Sequence, residues 1–201
     1  MKTFIEHFSI ISVSLINIFI TIRYCYLIIK KQIKPALAMW LFFTIAVALS
    51  FITYMADGNY SPLDNILNTT DIAMVSIVCL SILIWGDKTS SFNRFDLGCL
   101  IAVSLITAFW YFTRQHWITH LAVQGILVIA YFPVIKRLIF SKKNTEPFSV
   151  WILMGIAPAL SLLSSKGFLA TVYSVRAIIS VGILLLLMLW AEHENKKNKT
   201  I

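Results

Sequence analysis

Asp71 and Arg176 are the residues whose chemistry stands out, because each sits inside a long apolar stretch, 14 residues before a tryptophan (Trp85 and Trp190). The acid and the base are therefore 105 residues apart in matching settings. An ionised side chain inside a bilayer costs roughly 2.5–3.5 kcal/mol on insertion scales, so it is normally paired or turned toward water. Opposite charges kept at equivalent places in two halves are expected to face each other or one ligand. They would serve either as a clamp or gate for a polar solute, with Asp71 open to proton coupling, or as a permanent ion pair that fixes packing. Asn68 and Tyr173, also 105 apart, lie three residues before the charges and on the same helical faces. Ser180 extends the second face, where the first half has Val75. Asn17, Arg23 and Gln124 form a second polar set: Arg23 is within reach of headgroups, while Gln124 either bonds a neighbouring helix or reads a ligand.

Other chemistries find fewer residues. His116 and His120 have the i, i+4 spacing of metal ligands or a pH sensor, but no third ligand and no His-Glu-x-x-His pattern accompany them. An exposed helix entrance is the expected setting. There is no Gly-x-Ser-x-Gly and no pair of aspartates within the spans, which leaves an intramembrane lipid-modifying enzyme as a minor alternative. The last span has no lysine for a retinal Schiff base, and the loops are short for a G-protein-coupled receptor, although a compact sensory protein stays open. Cys25, Cys79 and Cys99 lie within spans without ligand spacing and read as packing residues. No cofactor or metal is expected.

These residues must be carried by membrane helices. A chain of 201 residues that is 59% hydrophobic and 13% charged, with mean hydropathy +0.82, cannot hide its apolar surface in a soluble core. Seven stretches approach the ~20 residues a span needs. They are Phe8 to Ile29, Ala36 to Ala56, Ile66 to Trp85, Phe95 to Phe112, Ile118 to Lys136, Phe148 to Ser165 and Gly167 to Trp190. Asn17 and Arg23 interrupt the first and no small-residue cleavage site follows, so it reads as a retained span rather than a signal peptide. Twelve basic residues fall on one side: Lys30, Lys31 and Lys34; Lys88 and Arg94; Lys136, Arg137, Lys142 and Lys143; Lys196, Lys197 and Lys199. Lys2, Arg114 and Lys166 are the basic residues of the other side. The amino terminus is thus expected outside and the carboxyl terminus in the cytoplasm, in the plasma (inner) membrane. The net charge of +8 then needs anionic lipid rather than nucleic acid. Trp40, Trp85, Trp117, Trp151 and Trp190 lie near span ends and fit an interfacial belt, a reading also open to Trp110. Sequons occur at Asn59, Asn68 and Asn198, of which only the first lies well outside the spans on this topology.

The seven spans divide as three, one and three. Spans one and five end in basic tails, with Pro35 before Trp40 as Pro147 is before Trp151. Spans three and seven align without a gap, as TDIAMVSIVCLSILIW and VRAIISVGILLLLMLW. Both halves enter the membrane the same way, as parallel repeats do. QGILVIAYFPVIKRL, with Gln124 and Pro133, is similar to the proline-bearing first helix of such a repeat, and Pro158 marks span six; spans one and two have no internal proline, and no Pro-Gln pair occurs. In span count and repeat order the chain resembles the SWEET sugar transporters and the PQ-loop group, with nicotinamide riboside transporters as relatives in architecture. The resemblance implies an all-α integral membrane fold of seven transmembrane helices, as two parallel three-helix bundles joined by a linking helix (3+1+3). Residues 1–86 form the first repeat, 87–117 the linker region, 118–191 the second repeat and 192–201 a cytoplasmic tail. It implies alternating-access transport of a small polar solute (sugar-, nucleoside- or vitamin-like), bound near the midplane by Asn68, Asp71, Gln124, Tyr173, Arg176 and Ser180. Pro133 and Pro158 are its hinges, and Phe51, Tyr54, Tyr131 and Tyr173 its available aromatic walls. The chain is then no enzyme; its partners are the bilayer and the solute, and a homo-oligomer is compatible. A non-transporting assembly component is the alternative.

Overall fold

The computed structural model describes residues 2–33, 35, 37–86, 94–142, 144 and 146–197; Lys34, Lys88, Lys143, Lys199, the Asn198 sequon and the expected boundary at residue 87 lie outside them. The elements are α1 (Lys2–Ile29), α2 (Leu37–Asp57), a 3-10 turn (Pro62–Asn65), α3 (Ile66–Trp85), α4 (Arg94–Thr113), α5 (His116–Ile129), α6 (Phe132–Ser141), α7 (Phe148–Ser161) and α8 (Phe168–Lys197). No strand occurs among the described residues. Five segments are long and apolar enough to cross a membrane: Thr3–Ile29, Met39–Asp57, Pro62–Trp85, His116–Phe140 and Phe168–Lys197. This is the make-up of a multi-pass membrane protein. Two further apolar helices, Leu97–Thr113 within α4 and Phe148–Ser161, are shorter. At 1.5 Å per residue the 14 residues of α7 span about 21 Å, less than the hydrocarbon thickness of roughly 30 Å.

The polarity of the helices is inverted relative to a water-soluble bundle. On α1, Ile11, Leu15, Ile18 and Ile22 form an exposed stripe at helical spacing, while Val13, Asn17, Ile20 and Tyr24 face inward. An apolar exterior around a partly polar interior is what lipid demands and water forbids.

Side-chain bonds fix the helix directions. Asn17 meets Thr70 and Asp71, and Ser81 meets Cys25, so α1 and α3 run parallel. Ser9 meets Leu160 and Ser164 while Tyr24 meets Glu146, so α7 runs against α1. Thr53 meets His120 and Phe43 packs on Tyr131, so α2 runs against α5. The neighbour relations make a ring, α1, α3, α2, α5, α8, α7 and back to α1, with α4 outside it against α5 and α2.

Two ends close this ring differently. At the end carrying the basic loops, five buried aromatic side chains form a chain across α1, α2, the turn between α5 and α6, and α7: Tyr24 on Trp40, Trp40 on Phe43, Phe43 on Tyr131 and Tyr131 on Trp151, with centroids 4.9–5.9 Å apart. This corrects the interfacial reading of Trp40 and Trp151, which are completely buried. Each stands in the first turn of its helix, where Tyr24 and Phe43 cover Trp40 and Tyr131 packs on Trp151. Trp85 and Trp117 keep exposed rings as a belt requires.

At the other end, Lys166 Nζ pairs with Asp64 Oδ1 at 2.7 Å, and its backbone N–H donates to the Asp64 carbonyl at 2.9 Å. The Tyr54 hydroxyl donates to the Lys166 carbonyl, and Tyr54 stacks on Tyr60. The carboxylate of Asp64 raises the pKa of the Lys166 ammonium above its usual value. A raised base stabilises the fold at neutral pH and loses that contribution as pH rises past the ordinary lysine value of about 10.4 and through the raised one. Lys166→Met is therefore expected to melt below wild type at pH 7, with the gap narrowing above about pH 10; a gap independent of pH would assign the effect to packing. Gly167 follows with φ +82°, and a Cβ there would stand 2.5 Å from the Tyr60 hydroxyl. Gly167→Ala is expected to destabilise by about 1–2 kcal/mol from backbone strain alone, with a further loss from unstacking Tyr60, read as a lower melting temperature.

Candidate functional site

Within the ring lies a cavity of about 40 Å³, lined from every helix of the ring: Asn17 of α1, Phe43 and Val47 of α2, Asp71 and Val75 of α3, Leu127 of α5, Met154 and Pro158 of α7, and Tyr173 and Arg176 of α8. At about 10–15 Å³ per water, it holds about three waters. Both charges singled out in the sequence reach it, and they do not pair. Asp71 Oδ1 accepts from Asn17 Nδ2 at 2.9 Å and Oδ2 from the Tyr173 hydroxyl at 2.8 Å. Arg176 Nε donates to Gln124 Oε1 at 3.1 Å, and its guanidinium carbon lies 4.8 Å from the centre of the Tyr173 ring. Tyr173 is thus wedged between them, hydroxyl to the acid and ring face to the base, a geometry in which cation–π attraction replaces part of an ion pair.

The two charges are held in the same manner. Asn17 on α1 holds Asp71 on α3, and Gln124 on α5 holds Arg176 on α8, each amide presenting the group that its partner needs. Asn17 and Gln124 are 107 residues apart, as are Tyr24 and Tyr131 of the aromatic chain. Asn17, with Thr70 beside it at 2.6 Å, belongs to the site although the charge pattern did not select it. Its equal spacing to Gln124 was the available signal.

The remaining expected site residues are dispersed. Gln124 joins Arg176 to Ser50, its Nε2 donating to Ser50 Oγ at 3.0 Å. Asn68 does not line the cavity. It is completely buried between α3 and α2, where its amide bonds Ser50 Oγ and, with its nitrogen toward Val47 O, also accepts from Phe51 N. Ser180 lines a separate groove on the outer side of α8. Of the aromatic candidates, Tyr131 and Tyr173 reach the cavity, while Tyr54 belongs to the Lys166 end and Phe51 lies outside the lining. Pro133 sits in the first turn of α6, directly after the break in the helix at Ala130 and Tyr131, whereas Pro158 lies inside α7 with its side chain at the cavity.

The exposed entrance expected for His116 and His120 is corrected at His120, while His116 stays partly exposed. His120 is completely buried, its Nδ1 3.1 Å from the Ser50 carbonyl and 3.3 Å from Thr53 Oγ1. A carbonyl only accepts, so Nδ1 carries the proton and Nε2 is left without a hydrogen-bond partner. His116 Nδ1 accepts from the Trp110 indole at 2.9 Å, so the two rings do not share a ligand. No cluster of three metal-ligating side chains occurs among the described residues.

Comparison of the chain with protein-family profiles, characterised proteins and solved structures finds no match.

Proposed function

We propose that the chain transports a small polar solute by alternating access between two helical bundles, α1–α3 and α5–α8, with α4 as the link. The observation that carries this reading is that Asp71 and Arg176 line one central cavity without neutralising each other. A purely structural ion pair has no reason to hold its partners apart; a site that must accept a solute has one. The separation of acid and base favours a zwitterion or polar heterocycle over a plain sugar.

The 3+1+3 division draws support from the ring. Exchanging α1 with α5, α2 with α7 and α3 with α8 maps every neighbour relation of the ring onto another. The amide-to-charge bonds and the Tyr24–Trp40 and Tyr131–Trp151 pairs follow the same exchange. On this reading the amino terminus lies outside, and the aromatic chain and the Lys166–Asp64 end are the two barriers that open in turn. Space for about three waters means that a solute enters only with rearrangement. The break before Pro133 is the hinge on this reading, since a proline has no backbone N–H to close the helix across it.

The small cavity also favours a second reading, a non-transporting membrane component with a filled interior. A thermal-shift series of the purified protein against sugars, nucleosides, amino acids and vitamins, followed by proteoliposome uptake of any hit, separates the two. Transport is expected to give one solute class that stabilises wild type but neither Asp71→Asn nor Arg176→Gln. A protein that no solute stabilises, and whose charge-swapped double variant regains the stability lost in the single ones, would be the structural component.

A further inference from the structure

On the outer side of Arg176, α5, the break at Tyr131, α6 and α8 border a groove of about 410 Å³ that faces away from the ring. This is within the usual range of roughly 300–1,000 Å³ for small-ligand sites. Its walls are apolar side chains such as Val128, Ile135, Ile179 and Ile183, and Arg176 is the charged residue among them. Within the described residues the guanidinium makes one hydrogen bond, from Nε to Gln124, and one ring contact, with Tyr173, so both Nη groups lack a protein acceptor. The acid that shares the cavity with it, Asp71, is already occupied by Asn17 and Tyr173. An arginine so placed in an apolar wall calls for an anion, and a guanidinium fork fits a carboxylate with two parallel bonds.

Depth narrows the anion further. Arg176 lies eight residues into α8, about 12 Å from its first residue. A phospholipid carries its phosphate as an ionised ester in a bulky headgroup that stays at the interface, whereas a single-chain acid can enter the groove in its neutral form and leave its proton to water once the carboxylate meets the guanidinium. We propose that this groove binds a fatty-acid-type amphiphile, its carboxylate on the Nη groups of Arg176 and its chain along the α6 and α8 walls. Because Arg176 and Tyr131 line both the groove and the central cavity, the ligand touches the partition between them and would bias how Arg176 is presented inside. The groove reading does not depend on transport.

The test is photo-crosslinking of the intact protein in nanodiscs with a diazirine-bearing palmitic acid, with the labelled peptides mapped by mass spectrometry. Label is expected on α5, α6 and α8 segments bordering the groove, competed about tenfold better by palmitate than by hexadecanol or phosphatidylglycerol, the scale of one lost charge-assisted hydrogen bond. Arg176→Gln should reduce it by a similar factor. Ile179→Trp fills the groove from a side chain that is already 57% exposed, so it should reduce labelling without disturbing the core. Label spread evenly over the bundle, equal competition by the alcohol or the phospholipid, or undiminished labelling in both variants would overturn the assignment.

Discussion

Asp71→Asn is expected to lower solute-dependent stabilisation and uptake by about 10- to 150-fold, the 1.5–3 kcal/mol worth of a hydrogen bond to a charged group, while changing the stability of the empty protein by only about 1 kcal/mol. The asymmetry follows from the contacts. An asparagine at 71 still accepts from Asn17 through its oxygen, and its nitrogen donates to the Tyr173 hydroxyl, which turns to accept. Charge is removed and hydrogen bonding is kept. Asp71→Ala, by contrast, strands the Asn17 and Tyr173 donors in the interior at about 1–3 kcal/mol each. Melting curves of the two variants, with and without a solute identified on wild type, read both quantities. Equal destabilisation by Asn and Ala, with the solute shift intact, would reduce Asp71 to a packing residue.

The second large effect concerns the aromatic chain. Trp40→Ala and Trp151→Ala should each cost about 3–5 kcal/mol, because each removes a completely buried indole from a packed layer. Trp85→Ala, at 48% exposure on the outer surface, should cost less than about 1 kcal/mol. Phe43 and Tyr131 join the two tryptophans, so the double variant should lose less than the sum of the single ones. Denaturant or thermal unfolding in detergent measures all four. Equal mild losses at positions 40, 85 and 151 would return Trp40 and Trp151 to the interfacial belt.

Much of this arrangement could be read from residue spacing, and the failures have a common cause. α3 begins and ends where the apolar pattern places it, at Ile66 and Trp85, because Asn65 caps its start and Gly86 its end. The setting of Asp71 and Arg176 was legible because charge is rare inside apolar stretches. Depth within the bundle was not. Position along a span gives the distance from its own end, whereas burial depends on how far neighbouring helices overhang that point. His120 stands only one turn into α5, yet Ser50 and Thr53 of α2 cover it; Trp40, near the start of α2, is covered by Tyr24 and Phe43. The wedge of Tyr173 between the charges was equally invisible, since equal sequence offsets say that two residues correspond and not what stands between them.

The paired amides have a consequence for how such a chain can arise. On the repeat reading, a duplicated and fused ancestor starts with identical halves, and one of them must exchange an acid for a base in the middle of a membrane. Most neighbours would be orphaned by that change. An amide is not: rotated by half a turn, it offers its oxygen where it had offered its nitrogen. Asn17 donating to Asp71 and Gln124 accepting from Arg176 are the same device in its two settings. On that reading the amide beside the third helix meets either sign of charge, leaving two halves alike in packing and opposite in polarity.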